Sequence, residues 1–175
     1  MTKIEVIIKL KEAVAEYEKV CTQLEETLYF SAIGEKWSPS ENTQHLNLAV
    51  SPLVLAFSLP GFILKLALGR PNRNSRNYEE LLEKYNGKLE AGGKASKPYI
   101  PNTQNRNVTK EKELKNFMVL HAKLIHKTEK WKDHDLDNYL LPHPLLGKIT
   151  LREMLYFTTF HIHHHRKAIL KLQSI

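Results

Sequence analysis

The stretch that most constrains this chain runs from Thr150 to about Leu172. There Leu151, Leu155, Thr158, Ile162, His165, Ile169 and Leu172 recur at spacings of three and four. Such a stripe is the buried seam of a long helix that must pack on other helices. Thr150-Leu151-Arg152-Glu153 opens it with the pattern of a capping box. The same helix carries Phe160-His161-Ile162-His163-His164-His165-Arg166, which holds four of the nine histidines. His161 and His165 lie four residues apart, about 40° apart on one helix face. His165 falls on the seam and His161 beside it, whereas His163 and His164 cannot both face the same way. The histidines precede the final turn, so the helix dipole explains them poorly. Seam-facing imidazoles need partners, because burying an unpaired polar group costs free energy. A metal ion would satisfy both. A third ligand must come from elsewhere in the chain, and His45 is the best candidate.

A chain of 175 residues suffices for one domain, 1–175, with a full core. Glycine and proline are sparse and fall mostly between the periodic stretches, which favours long helices over many short strands. Cys21 is the only cysteine, so an intramolecular disulfide and a cysteine zinc site are excluded. Met1-Thr2-Lys3-Ile4-Glu5-Val6 lacks the charged-then-apolar pattern of a secretory leader, and the expectation is a reducing cytoplasm. The net charge is +7, but the basic residues are spread along the chain and form no compact recognition helix. Nucleic acid is therefore not the expected partner. Leu46 to Leu64 carries no charge over roughly 19 residues, near the lower limit of a membrane span. Pro52 and Pro60-Gly61 interrupt it. It reads instead as a buried helix ending near Ser58 and a short apolar segment from Phe62 to Leu68, with no membrane expected. That segment could rim a substrate pocket, or pair two copies of the chain near Phe62.

In chain order, Ile4 to Ile33 has helical periodicity and Gly34 stops it. Ser38, Pro39 and Glu41 make a helix start, with Trp37 placed to pack on the first apolar turn. His45 lies in the second turn of that helix. Gly69 to Val108 is a long connection with one short amphipathic helix, Tyr78 to Leu89, broken at Ala91-Gly92-Gly93. Thr109 to Lys132 is the third helix. His121 lies on its apolar stripe, as a lesser ligand candidate and more readily a packed histidine. Asp133 to Ile149 reads as a loop whose aspartates lack the glycine and closing glutamate of a calcium loop. Three histidines with open positions form a catalytic type of metal site, suited to Zn, Ni, Fe or Co. No His-Glu-x-x-His pattern, nucleophile elbow, phosphate loop or dinucleotide fingerprint is present.

Two stretches together resemble the DinB-like family of small four-helix-bundle proteins. One is Trp37-Ser38-Pro39-Ser40-Glu41-Asn42-Thr43-Gln44-His45-Leu46. The other is His143-Pro144-Leu145-Leu146-Gly147-Lys148-Ile149-Thr150-Leu151-Arg152-Glu153 running into Phe160-His161-Ile162-His163-His164-His165. The resemblance implies an all-α, up-down-down-up four-helix bundle with a long crossover between the second and third helices. It places the family's metal-binding triad on His45, His161 and His165. In relatives an acidic residue often follows the first C-terminal histidine; here Ile162 stands there. His164, His121 and Arg166 are candidates to support the ligands. Members of the family include metal-dependent transferases and isomerases acting with low-molecular-weight thiols such as bacillithiol, mycothiol or glutathione, and others described as metal-dependent hydrolases. The resemblance thus implies a His-bound divalent metal (Zn, Ni or Fe) that activates a thiol or water toward a small-molecule substrate. A thiol S-transferase stands ahead of a hydrolase, and a non-catalytic helical stress-response or binding module is the alternative. Arg70 and Arg73, with Lys65 and Arg76 nearby, are candidates to hold the carboxylates of the thiol. Cys21, on an apolar stripe, is not expected to be a nucleophile.

Overall fold

The computed structural model describes residues 1–32, 34, 36–102 and 108–173. Among them are seven α-helices and one two-stranded hairpin: α1 Lys3–Gln23, α2 Glu26–Phe30, α3 Pro39–Ala56, α4 Gly61–Leu68, α5 Tyr78–Glu90, α6 Lys110–Glu129, β1 Leu140–His143, β2 Gly147–Thr150 and α7 Leu151–Gln173. The four long helices form the body. α1 packs on α6 and α7, and α3 packs on α6 and α7. The mostly helical expectation holds, and the hairpin is the exception.

The helix starts follow from local chemistry. Ser38 accepts from the Glu41 amide while Glu41 accepts from the Ser38 amide, with Pro39 at the first position. Thr150 and Glu153 exchange the same two bonds at 3.2 and 2.8 Å. Thr109 caps α6. The end of α5 is a Schellman turn. Gly92 takes φ +88°, its amide reaches the Leu89 carbonyl, and the Gly93 amide reaches the Lys88 carbonyl.

Two sequence readings are corrected, and a third gains its secondary structure. The first helix does not run on toward Ile33, which lies outside the described residues. It ends at Gln23, and the chain turns at Leu24–Glu25 into α2. The Lys110 ammonium stabilises the break by donating to the carbonyls of Thr22 and Leu24. The apolar segment after Pro60 is helical: α4 leaves α3 at 108° and exposes Phe62 and Leu66. Gly61 permits this corner, because the Tyr139 ring lies where a Cβ would stand. Asp133 to Ile149 is a 3-10 turn followed by the β1–β2 hairpin, paired from Leu140↔Thr150 to His143↔Gly147.

The ends of the long helices are tied in pairs. Lys3, at the start of α1, donates its amide to Asp133 and its ammonium to the Glu129 carbonyl at the end of α6. Arg152, early in α7, bonds Asp133 and Asp137. The starts of α3 and α6 meet at Glu113. This buried carboxylate accepts from Ser40, Gln44 and Tyr29, at 2.8 to 2.9 Å. No single helix among the described residues is long and apolar enough to cross a membrane.

Candidate metal centre

α3 and α7 together position three buried imidazoles. The capping box at Ser38 fixes the first turns of α3, and His45 projects one turn further. The seam of α7 carries His161 and His165. The Nε2 atoms converge: His161 lies 3.0 Å from His45 and 3.0 Å from His165. One ligand atom from each residue lies within 4.8 Å of the others, and all three side chains are buried.

The outer ring nitrogens decide what the inner ones can do. His45 donates Nδ1–H to the Tyr99 carbonyl at 2.6 Å. His165 donates Nδ1–H to Asn42 Oδ1 at 2.6 Å. Asn42 is oriented for this role because its Nδ2 donates to the carbonyls of Trp37 and Ser38. A neutral imidazole protonated at Nδ1 offers a lone pair at Nε2. Two inward lone pairs therefore flank the Nε2 of His161. One proton on that atom can satisfy only one of them, whereas a cation among the three satisfies all. The donor set fits a divalent metal, with imidazole ligands anchored from behind by a carbonyl and an amide.

Electrostatics points the same way. Burial lowers the His45 pKa, partly offset by the Tyr99 carbonyl. Burial also holds His161 and His165 well below the ordinary histidine value, and the neighbouring histidines add to the effect. All three rings are thus neutral and able to ligate. Trp37, just before the α3 cap, packs against the triad. Its ring centroid lies 5.0 Å from that of His45, and it stacks on His165 at 6.3 Å.

The triad opens on a cavity of about 370 Å³, walled by Leu46, Val50, Leu53, Leu89, Leu145 and Phe157 among others. His121 and His164 both line it. His121 is buried, and its Nδ1 bonds the Phe117 carbonyl at 2.8 Å. His164 is exposed and edges against His165. His163 and Arg166 turn the other way, to Glu16 on α1. Arg70 and Arg73 are not brought to the histidines. They line a separate cavity with Ser75, Arg76 and Arg152. Arg73 forks onto the buried Glu153 at 2.7 and 2.9 Å. The lysine lining the histidine cavity is Lys94.

Three participants escaped sequence reasoning. Asn42 lies one turn before His45, the i, i+3 spacing that could have suggested a partner. The Tyr99 carbonyl is backbone and leaves no residue-type signal. His143, on β1, is buried and lines the same cavity. Its motif was visible, but its direction required the hairpin.

Residues 9–169 match a model of the DinB superfamily. No curated protein and no solved structure matches the chain.

Proposed function

The chain belongs to the DinB superfamily, and we propose that it is a metal-dependent enzyme whose three histidines hold a divalent ion beside an apolar substrate cavity. The convergence of the three Nε2 atoms, with two fixed as lone pairs, carries this reading. The ties between helix ends support an up-down-down-up bundle for the four long helices. Zinc, nickel and iron all suit an imidazole set, and such an ion supplies Lewis acidity that lowers the pKa of a water or thiol at its open positions.

Transfer to a low-molecular-weight thiol is the reaction we favour over hydrolysis. The cavity walls are largely apolar, and a substrate filling them would displace water from around the sulfur. Lys94 supplies a cation for a carboxylate of the thiol, a role for which Arg70 and Arg73 are placed less well. Tyr99 and Asn42 hold the His45 and His165 rings in the ligating tautomer. Trp37 shields the outer side of both rings. The thiolate sulfur bonds to the electrophilic carbon of the substrate. The leaving group departs with its electron pair and takes up the proton the thiol released.

Elemental analysis of tag-free protein beside His45→Ala and His161→Ala tests the proposal. The expected result is about one metal ion per chain in the wild type and none in either variant. Wild type that stays metal-free after reconstitution with zinc, nickel, iron or cobalt overturns it. Consumption of electrophile only when thiol is added separates the transferase from a hydrolase.

A further inference from the structure

His143 and His121 line the histidine cavity, yet neither is a member of the triad. Both side chains are more than nine-tenths buried, at 7% and 1% exposure. Each has one ring nitrogen committed and the other without a hydrogen bond among the described residues. The commitments are opposite in sense. His143 Nδ1 accepts from the amides of Leu145 and Leu146, at 3.2 and 3.1 Å. A ring nitrogen that accepts carries no proton, so the proton of the neutral ring sits on Nε2. His121 Nδ1 faces the Phe117 carbonyl, which can only accept. Its proton therefore sits on Nδ1 and its Nε2 is a lone pair. Ring packing fixes both imidazoles: Phe157 lies 4.2 Å from His143 and Phe117 lies 4.2 Å from His121, centroid to centroid. The rest of the wall is dominated by Leu46, Val50, Leu53, Leu145 and Phe157.

We infer that the cavity takes a compact, mainly apolar small molecule bearing an oxygen acceptor for His143 Nε2–H and a donor for the Nε2 lone pair of His121. Polar atoms of buried residues that line an apolar cavity are satisfied only by a ligand or water that matches them, so a matching ligand gains selectivity over a plain hydrocarbon. The assignment deepens the proposed function by naming its substrate class. The two positions act on substrate orientation and leave the metal ligands untouched.

The test uses the full chain stripped of metal, so it does not depend on the metal reading. Naphthalene, 2-acetylnaphthalene and 2-naphthol serve as probes in equilibrium dialysis. The wild type is expected to favour 2-acetylnaphthalene over naphthalene by about fivefold, the worth of one net hydrogen bond. In His143→Asn the amide oxygen can still accept from Leu145 and Leu146, but the Nε2 donor is gone. This variant is expected to bind naphthalene as before and to lose the preference. His121→Asn is expected to keep the acetyl preference and to weaken 2-naphthol. Long-range proton–nitrogen NMR of the unmutated chain, free and with 2-acetylnaphthalene, gives a readout independent of either variant. It should show His143 protonated at Nε2, with that proton shifted by the probe, and His121 protonated at Nδ1. The opposite tautomers, an acetyl preference that survives His143→Asn, 2-naphthol binding unchanged in His121→Asn, or no binding of any probe up to its solubility limit overturns the inference. A triad that fails to take up metal while these preferences persist removes the metal reading alone.

Discussion

Asn42 illustrates how a residue that touches no reacting atom can set the chemistry of a site. Its amide gives both protons to backbone carbonyls of its own helix start, which leaves Oδ1 to receive His165 Nδ1–H. Without that acceptor His165 can move its proton to Nε2 and withdraw its lone pair. Asn42→Ala is therefore expected to lower metal affinity about 10- to 100-fold while helix content is preserved. Competition with a chromophoric chelator would measure it. An unchanged affinity would show that the His165 tautomer does not depend on Asn42. Cys21 makes the opposite case. Burial pushes its thiol up to about 12, so it stays protonated and inert in the core.

Among the elements, the start of α7 is the best-anchored joint. Glu153 completes the capping box and also receives Arg73 and Arg76. Burial alone would raise its pKa, but the Arg73 fork and the amides of Thr150 and Arg76 reverse this and hold it below the usual carboxylate value. Arg73→Ala strips a bidentate partner from a buried charge and is expected to cost about 2–3 kcal/mol in urea unfolding. Arg70→Ala, at an exposed position, is the control and should change little. This joint also shows what can be read without a structure. The boxes at Ser38–Glu41 and Thr150–Glu153 were legible because each is complete within four residues. The seam histidines were legible because helical spacing places them on one face. The break after Gln23 was not, because its stabilising group, Lys110, comes from the start of α6, far along the chain. The hairpin was hidden because two four-residue strands, one interrupted by Pro142, leave no alternating pattern. Arg73 reads from the sequence as a candidate for the carboxylates of a thiol; only the fold brings it to Glu153.

For the whole molecule, the buried neutral histidines make stability depend on acid. Burial lowers His121 and His143 to about 4, against 6.5 for the open chain. The unfolded chain binds the extra protons between these values. Stability is therefore full above about pH 6.5 and falls as pH drops toward 4, by up to ~3 kcal/mol for each ring. His161 and His165 add to the loss in metal-free protein, since their shifts have the same sign. Urea midpoints of metal-free protein between pH 7.5 and 4 are expected to fall steeply, and His121→Asn should flatten the profile. A flat wild-type profile would contradict neutral burial. The pairing of His45 with His161 has one more consequence. The two positions are separated by 116 residues, and closing so long a loop around an ion alone is entropically costly. The packed helices close that loop first. On the ribosome α3 emerges long before α7, so a nascent chain has no complete chelate to offer. An ion held by the three histidines would then be drawn from the surrounding pool after synthesis. On the proposed reading, the metal taken up would be decided by availability as much as by coordination, and metal analysis of the same chain made in media of different metal content is expected to return different metals.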